Sequence, residues 1–212
     1  MAHIRLDLCR ITDFFQADET LSRPAIIQLR KAAIYSQRNQ YLSQLLQSDL
    51  QNTDFARTSY GKPYLKKHAD FYFNHSHSQA HYVLASSFKI ADLGVDIEDL
   101  NRAVRFEALA AHAFHADERA HWQATEFDPH YWFKVWTTKE ALLKASGLGI
   151  RLNLKELNTR VHPLHAGGMC QHAALGSFAY QNFTLPHAML TVAWAAEASC
   201  HGFHFPTIEL HQ

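Results

Sequence analysis

One pattern recurs along this chain and sets its architecture. Phe73-Asn74 followed by His81-Tyr82-Val83-Leu84-Ala85 returns as Phe183-Thr184 followed by Met189-Leu190-Thr191-Val192-Ala193. In each half a helical stretch precedes the pair of strand-like runs. The repetition predicts an α+β fold of two similar lobes, residues 1–100 and 101–212. Each lobe should be a small antiparallel sheet packed against a long helix, the two related by a pseudo-twofold axis. No low-complexity linker divides them, so they should form one compact unit with a shared interface.

The local signals fill in this frame. Ile4, Leu6 and Leu8 alternate with charged residues and predict a half-buried strand. Apolar positions from Ile27 to Leu46 fall at helical spacing, and Pro24 suits a first helical turn, so a helix is expected from about Pro24 to Leu50. Tyr60-Gly61-Lys62-Pro63 is a turn signal. Strands are expected at Phe71–Asn74, Tyr82–Ser86 and Leu93–Glu98. Further on, Phe106–Phe114 and Asp117–Ala124 read as helices. Asp128-Pro129 reads as a helix start, with Gly147 as the stop. Three more strands are expected near Leu157–Val161, Ser177–Thr184 and Met189–Ala195.

Composition bounds the function. Lysine plus arginine total 20 and aspartate plus glutamate total 20. That balance argues against a nucleic-acid or anionic-membrane protein, since both carry a basic excess. Cys9, Cys170 and Cys200 are far apart and form no C-x-x-C, so neither a disulfide framework nor a zinc ribbon is indicated. A reducing, cytoplasmic home is expected. The charges at Arg5, Asp7, Arg10 and Asp13 leave Met1–Phe15 without a signal-peptide core, and no apolar run approaches the ~20 residues of a membrane span. Histidine is abundant at 16 residues. His75-x-His77-x-x-x-His81 and the pair His112 and His115 are open to two readings, a transition-metal site or ordinary polar residues at the surface or half-buried.

Three constellations can carry chemistry. In Gly94-Val95-Asp96-Ile97-Glu98-Asp99, a strand would project Asp96 and Glu98 from one face. Two such carboxylates repel unless a cation or proton lies between them, and hard oxygen ligands suit Mg²⁺. A solvent-facing strand edge would carry the same residues. In the helix Tyr131–Gly147, Phe133, Trp136, Glu140 and Leu143 share one stripe. A carboxylate on an aromatic stripe implies a partner, although Glu140 and Lys144 could equally be a plain helical ion pair worth ~0.3 kcal/mol. Phe73-Asn74-His75-Ser76-His77-Ser78 offers hydroxyls, imidazoles and backbone N–H groups that could bind an anion, or could simply close a polar hairpin.

Taken in order, GKPYL, FNHSHS, GVDIED, FHADE and WTTKEALLKASGLGI resemble the 4′-phosphopantetheinyl transferase superfamily, most of all its two-lobed, surfactin-synthetase-activating class. The resemblance runs from about Tyr60 to Ile150. It implies transfer of the 4′-phosphopantetheine arm of coenzyme A to a serine of an apo acyl or peptidyl carrier protein, with release of 3′,5′-ADP. It implies Mg²⁺ ligands at Asp96, Glu98 and Glu140, and coenzyme A phosphate contacts at Lys62, Ser76, His77 and Lys144. Glu140 would then be the base toward the carrier serine, directly or through water, and Lys144 would stabilise the departing phosphate. Where the family often has an arginine closing the first-lobe helix, this chain reads Leu45-Leu46-Gln47-Ser48. Arg30, Lys31 and Arg38 are available for the coenzyme A 3′-phosphate, with none singled out. A monomer would suffice, because the second lobe supplies what a neighbouring subunit would otherwise give. Two other readings remain: a homologue that binds coenzyme A or a carrier protein without catalysis, and a histidine-rich metal-binding protein.

Overall fold

The computed structural model describes residues 2–196, 198–199, 202–203 and 205–212. In chain order the elements are β1 (His3–Arg10), α1 (Arg23–Leu46), β2 (Phe55–Arg57), β3 (Pro63–Leu65), β4 (Tyr72–His77), β5 (His81–Ser87) and β6 (Leu93–Asp99). Then come α2 (Phe106–Ala113), α3 (Ala116–Ala124), α4 (Pro129–Ser146), β7 (Gly167–His172), β8 (Gly176–Thr184) and β9 (Ala188–Ala195). Short β10 (Ala198–Ser199), β11 (Gly202–Phe203) and β12 (Thr207–His211) close the chain. Cys200 lies outside the described residues.

Two four-stranded sheets carry the fold, ordered β12-β1-β5-β4 and β6-β9-β8-β7. The expected repetition is present as strand, helix, hairpin: β1, α1 and β4–β5 in the first round, then β6, α4 and β8–β9 in the second. A cut between residues 100 and 101 falls after β6, yet β6 pairs with β9 in the second sheet. The C-terminal β12 pairs with β1 in the first, so the halves exchange a strand each way. That β1–β12 pairing is parallel, which makes the first sheet mixed at one edge instead of wholly antiparallel.

Alternation decides which side of each strand is buried. Ile4, Leu6, Leu8, Val83 and Ala85 meet Leu93, Val95, Ile97, Leu190 and Val192 between the two sheets. Tyr82, Leu84 and Phe73 face the other way, under Ile34 and Leu42 of α1. On the far side of the second sheet lie Trp132, Phe133, Val135 and Leu142 of α4, with Phe114 and Trp122 around them. The layers therefore run α1, sheet, sheet, then α4 with α2 and α3.

The α4 boundaries follow the sequence signals. Asp128 accepts backbone bonds from His130 and Tyr131, Pro129 opens the helix, and Gly147 closes it at φ 70°. Helix α1 stops at Leu46 because Gln47 turns left-handed at φ 49°, four residues before the expected end. The Tyr60–Pro63 turn joins two short strands, β2 and β3, which alternation alone did not reveal.

Leu157–Val161 is not a strand. Its alternation is real, since Leu157, Thr159 and Val161 are all buried. Side chains, however, take the place of a neighbouring strand. Lys139 donates to the Leu157 carbonyl, Glu118 accepts from the Thr159 N–H at 2.9 Å, and the Tyr131 hydroxyl donates to the Val161 carbonyl at 3.3 Å. The fourth strand of that sheet is instead the glycine-containing β7.

Candidate active site

The site forms where the free edges of the two sheets meet. Strand β4 ends the first sheet and β6 ends the second. Their backbones do not pair; three side chains of β4 and the turn after it join them instead. The Asn74 side-chain oxygen accepts from the Val95 N–H at 3.0 Å. Ser76 Oγ donates to Asp96 Oδ1 at 2.9 Å, and Ser78 Oγ donates to Asp99 Oδ1 at 2.7 Å. The i, i+2, i+4 spacing of Asn74, Ser76 and Ser78 puts all three on one side of an extended chain. That explains the alternation inside FNHSHS.

Helix α4 supplies the next group. Gly94 lies against it so closely that an added Cβ would come 2.2 Å from the Ala141 carbonyl oxygen and 2.3 Å from the Ala145 nitrogen. This approach lets Lys144 reach β6. Its ammonium donates to Asp96 Oδ1 at 2.6 Å, to Ser76 Oγ at 2.8 Å and to the Val95 carbonyl at 3.2 Å. Three elements thus converge on one ammonium group. Asp96 is buried, and its second oxygen, Oδ2, has no hydrogen-bond partner.

The other two acids have different surroundings. Glu98 Oε1 accepts from the Trp136 indole at 3.1 Å and Oε2 from Arg102 at 2.7 Å. Burial, together with the nearby Asp96 charge, pushes Glu98 up to about 7, against the pull of Arg102 and Trp136. Burial and Asp96 also raise Glu140, with Lys144 opposing. Both acids therefore feel the negative charge of Asp96, and Lys144 and Arg102 offset it only in part, so a cation would relieve the remainder.

Two clefts flank Lys144. One, of about 260 Å³, is lined by Arg57, Lys62, His75, Glu140 and Lys144, among others. The second, of about 510 Å³, is lined by Arg30, Lys31, His77, Asp96 and Lys144, with Ile27 and Tyr35. Cationic groups therefore face both sides of the carboxylates, as a polyanionic ligand would require. Lys62 reaches the C-terminal end of α4, where its ammonium donates to the Ala145 carbonyl at 2.7 Å and the Ala91 carbonyl at 3.3 Å. Burial lowers its pKa. Arg38 is buried between the Tyr35 and Phe55 rings and bonds to Asn39 and Asn52. Arg30 and Lys31 are the α1 cations that open onto the second cleft.

The site residues that the resemblance implies thus lie on this junction, whereas His112 sits in α2 and His115 caps α3. Asp96, Ser76 and Lys144 are in direct contact, Glu98 is held by Arg102 and Trp136, and Lys62, His77 and Glu140 line the clefts. The sequence did not single out Asn74, Gly94 or Arg102, and only the alternation of FNHSHS could have drawn attention to Asn74. His75 and His81 do not share a ligand. His81 Nδ1 pairs with Asp99 at 2.6 Å, while burial and the Arg38 and Lys144 charges depress His75 to about 3. Among the described residues, no three histidine, cysteine, aspartate or glutamate side chains converge as a ready metal cage. Mg²⁺ would fit by its chemistry: the donors are hard oxygens, Asp96 Oδ2 is free, and a hard cation takes phosphate and water at its remaining positions.

Fold and junction define an α+β protein of two sheets between helices, whose acidic edge faces basic clefts, and known proteins resemble it. Residues 92–196 match the family model of the 4′-phosphopantetheinyl transferase superfamily. Among curated relatives, the chain is 30% identical over 123 residues to the 4′-phosphopantetheinyl transferase Sfp of Bacillus subtilis (strain 168), covering 57% of this chain and 53% of that one. It is 34% identical over 103 residues to the 4′-phosphopantetheinyl transferase psf-1 of Bacillus pumilus, covering 48% and 42%. It is also 34% identical over 112 residues to the 4′-phosphopantetheinyl transferase gsp of Aneurinibacillus migulanus, covering 52% and 45%. The matches span about half the length of these relatives. No helix among the described residues is long and apolar enough to cross a membrane.

Proposed function

We propose that this protein transfers the 4′-phosphopantetheine arm of coenzyme A to a serine hydroxyl of an apo acyl or peptidyl carrier protein. The observation that carries the reading is the Lys144 ammonium on Asp96 Oδ1 and Ser76 Oγ, which draws three separate motifs into one cleft. In this reading Asp96, Glu98 and Glu140 hold Mg²⁺. The ion would bind pyrophosphate oxygens and offset charge developing at the attacked phosphorus.

The chain's own residues do the rest. Arg30, Lys31 and His77 in one cleft, and Lys62 and Arg57 in the other, attract the phosphates of coenzyme A. Glu140, made more basic by burial, takes the proton of the carrier serine. The serine oxygen forms a bond to the β-phosphorus, the bond to the bridging oxygen breaks, and 3′,5′-ADP leaves. Lys144 compensates the charge that accumulates on the leaving phosphate. One copy of the chain supplies every group named, so a monomer would be sufficient, and a cytoplasmic setting would provide both substrates.

The test is intact-protein mass spectrometry of apo carrier proteins incubated with this protein, coenzyme A and Mg²⁺. A mass gain of one phosphopantetheine arm, abolished by EDTA and by Glu140→Gln with folding intact, is expected. No gain on any carrier, with coenzyme A still bound, would overturn catalysis and leave a binding protein.

A further inference from the structure

Among the described residues Asp96, Glu98 and Glu140 are not gathered as a metal cage, and two of the three acids bond to side-chain cations. Lys144 occupies Asp96 Oδ1. Arg102 occupies Glu98 Oε2 at 2.7 Å, while the Trp136 indole holds the other oxygen at 3.1 Å. Glu98 is therefore held in two different ways. Its contact with Trp136 comes from α4, the helix that also carries Glu140 and Lys144. Its contact with Arg102 comes from the turn after β6, where the Arg102 N–H bonds back to the Asp99 carbonyl at 3.3 Å.

The two contacts differ in how readily they can be given up. Glu98 is 13% exposed, but the Arg102 side chain is 35% exposed. Arg102 can leave for solvent without stranding a buried cation, and a half-exposed ion pair is weak. The indole is neutral and bonds one oxygen only, so it can keep the carboxylate in place while the other oxygen changes partner. A divalent ion with hard-oxygen preference would seek that same oxygen.

We infer that Arg102 is an internal counterion that competes with the divalent cation for Glu98, and that Trp136 is the positioning residue about which the carboxylate exchanges one for the other. The inference rests on the metal reading of the proposed function. It makes Arg102 a brake on metal affinity, the opposite of what a residue orienting a metal ligand would be.

The experiment is a titration of the full chain with Mn²⁺ alone, without coenzyme A or carrier, read by the electron paramagnetic resonance of free Mn²⁺. Arg102→Gln should bind Mn²⁺ about three- to tenfold more tightly than the parent, the range a half-exposed pair can supply. Arg102→Lys, which keeps the competing charge, should stay near the parent. Trp136→Phe should bind several-fold more weakly, with an unchanged unfolding midpoint. Unchanged or weaker binding in Arg102→Gln, while Asp96→Asn abolishes binding, overturns this inference and leaves the metal reading standing. A parent chain that takes up no Mn²⁺ overturns both.

Discussion

Lys144 Nζ lies 2.6 Å from Asp96 Oδ1, and this contact ties α4 to the edge strand β6. The lysine side chain is 29% exposed and the aspartate 7%. Removing the cation therefore leaves a largely buried carboxylate with only the Ser76 hydroxyl. Lys144→Met should lower urea stability by about 2 kcal/mol, within the range for a hydrogen bond to a charged group. It should also slow the proposed arm transfer at saturating coenzyme A by about 100-fold or more, as loss of a group facing developing charge does. Lys144→Arg should not restore the rate, because a planar fork cannot meet three acceptors arranged about one point. Parent-like transfer by either variant would remove Lys144 from the chemistry.

Gly94 sets how near β6 comes to α4. Gly94→Ala would drive a methyl group into the Ala141 carbonyl and the Ala145 nitrogen, both backbone atoms that cannot rotate away. The helix must then move off the strand, and Lys144 with it. The expected cost is about 3 kcal/mol or more in urea unfolding, with transfer lost even in the folded fraction. A variant of parent stability and activity would show that the contact is looser than the structure has it.

Much of this junction was legible in the sequence, because the acids and cations that meet here are close along the chain and fall at strand or helix spacing. Asp96 and Glu98 are i, i+2 on a strand, and Glu140 and Lys144 are i, i+4 on a helix. The missed features depend on contacts between distant segments. Gly94 looks like any strand glycine until α4 lies on it. Asn74 and Ser78 look like turn residues until β6 is beside them. The alternation of Leu157, Thr159 and Val161 correctly forecast which side chains are buried. It could not show that Lys139, Glu118 and Tyr131 would satisfy a backbone that has no neighbouring strand. The strand exchange through β12 was equally invisible, because pairing with β1 is set by the packing of the two sheets.

His75 should make stability fall in acid. Burial and the Arg38 and Lys144 charges hold its imidazole at about 3 in the folded chain, whereas an unfolded histidine titrates near ~6.5. Between those values the unfolded chain binds the extra proton, so this contribution is complete above about pH 6.5 and is lost as pH falls toward 3. The slope is at most ~1.4 kcal/mol per pH unit. Urea unfolding at pH 6.5 and 5.5 should show the parent losing up to about that much more than His75→Gln, which has no imidazole to titrate. Equal losses in the two proteins would mean that His75 takes up its proton in the folded state.

The buried pair of Lys139 and Glu118 holds the second half together behind Glu140. Their charged atoms are 2.8 Å apart, and the side chains are only 1% and 2% exposed. Glu118 also accepts from the Thr159 N–H at 2.9 Å, the Thr159 hydroxyl at 2.6 Å and the His115 N–H at 2.8 Å. Lys139 donates to the carbonyls of Leu154 and Leu157. Breaking such a pair strands one charge away from water, so Lys139→Met should cost about 3–5 kcal/mol. Glu118→Gln should cost a similar amount by leaving the buried ammonium without its counter-charge. The double variant should be destabilised by clearly less than the sum of the two, with a coupling of about 2 kcal/mol in a urea cycle. Strict additivity would mean that the two groups do not depend on each other, and that the 152–161 segment is held by its backbone contacts alone.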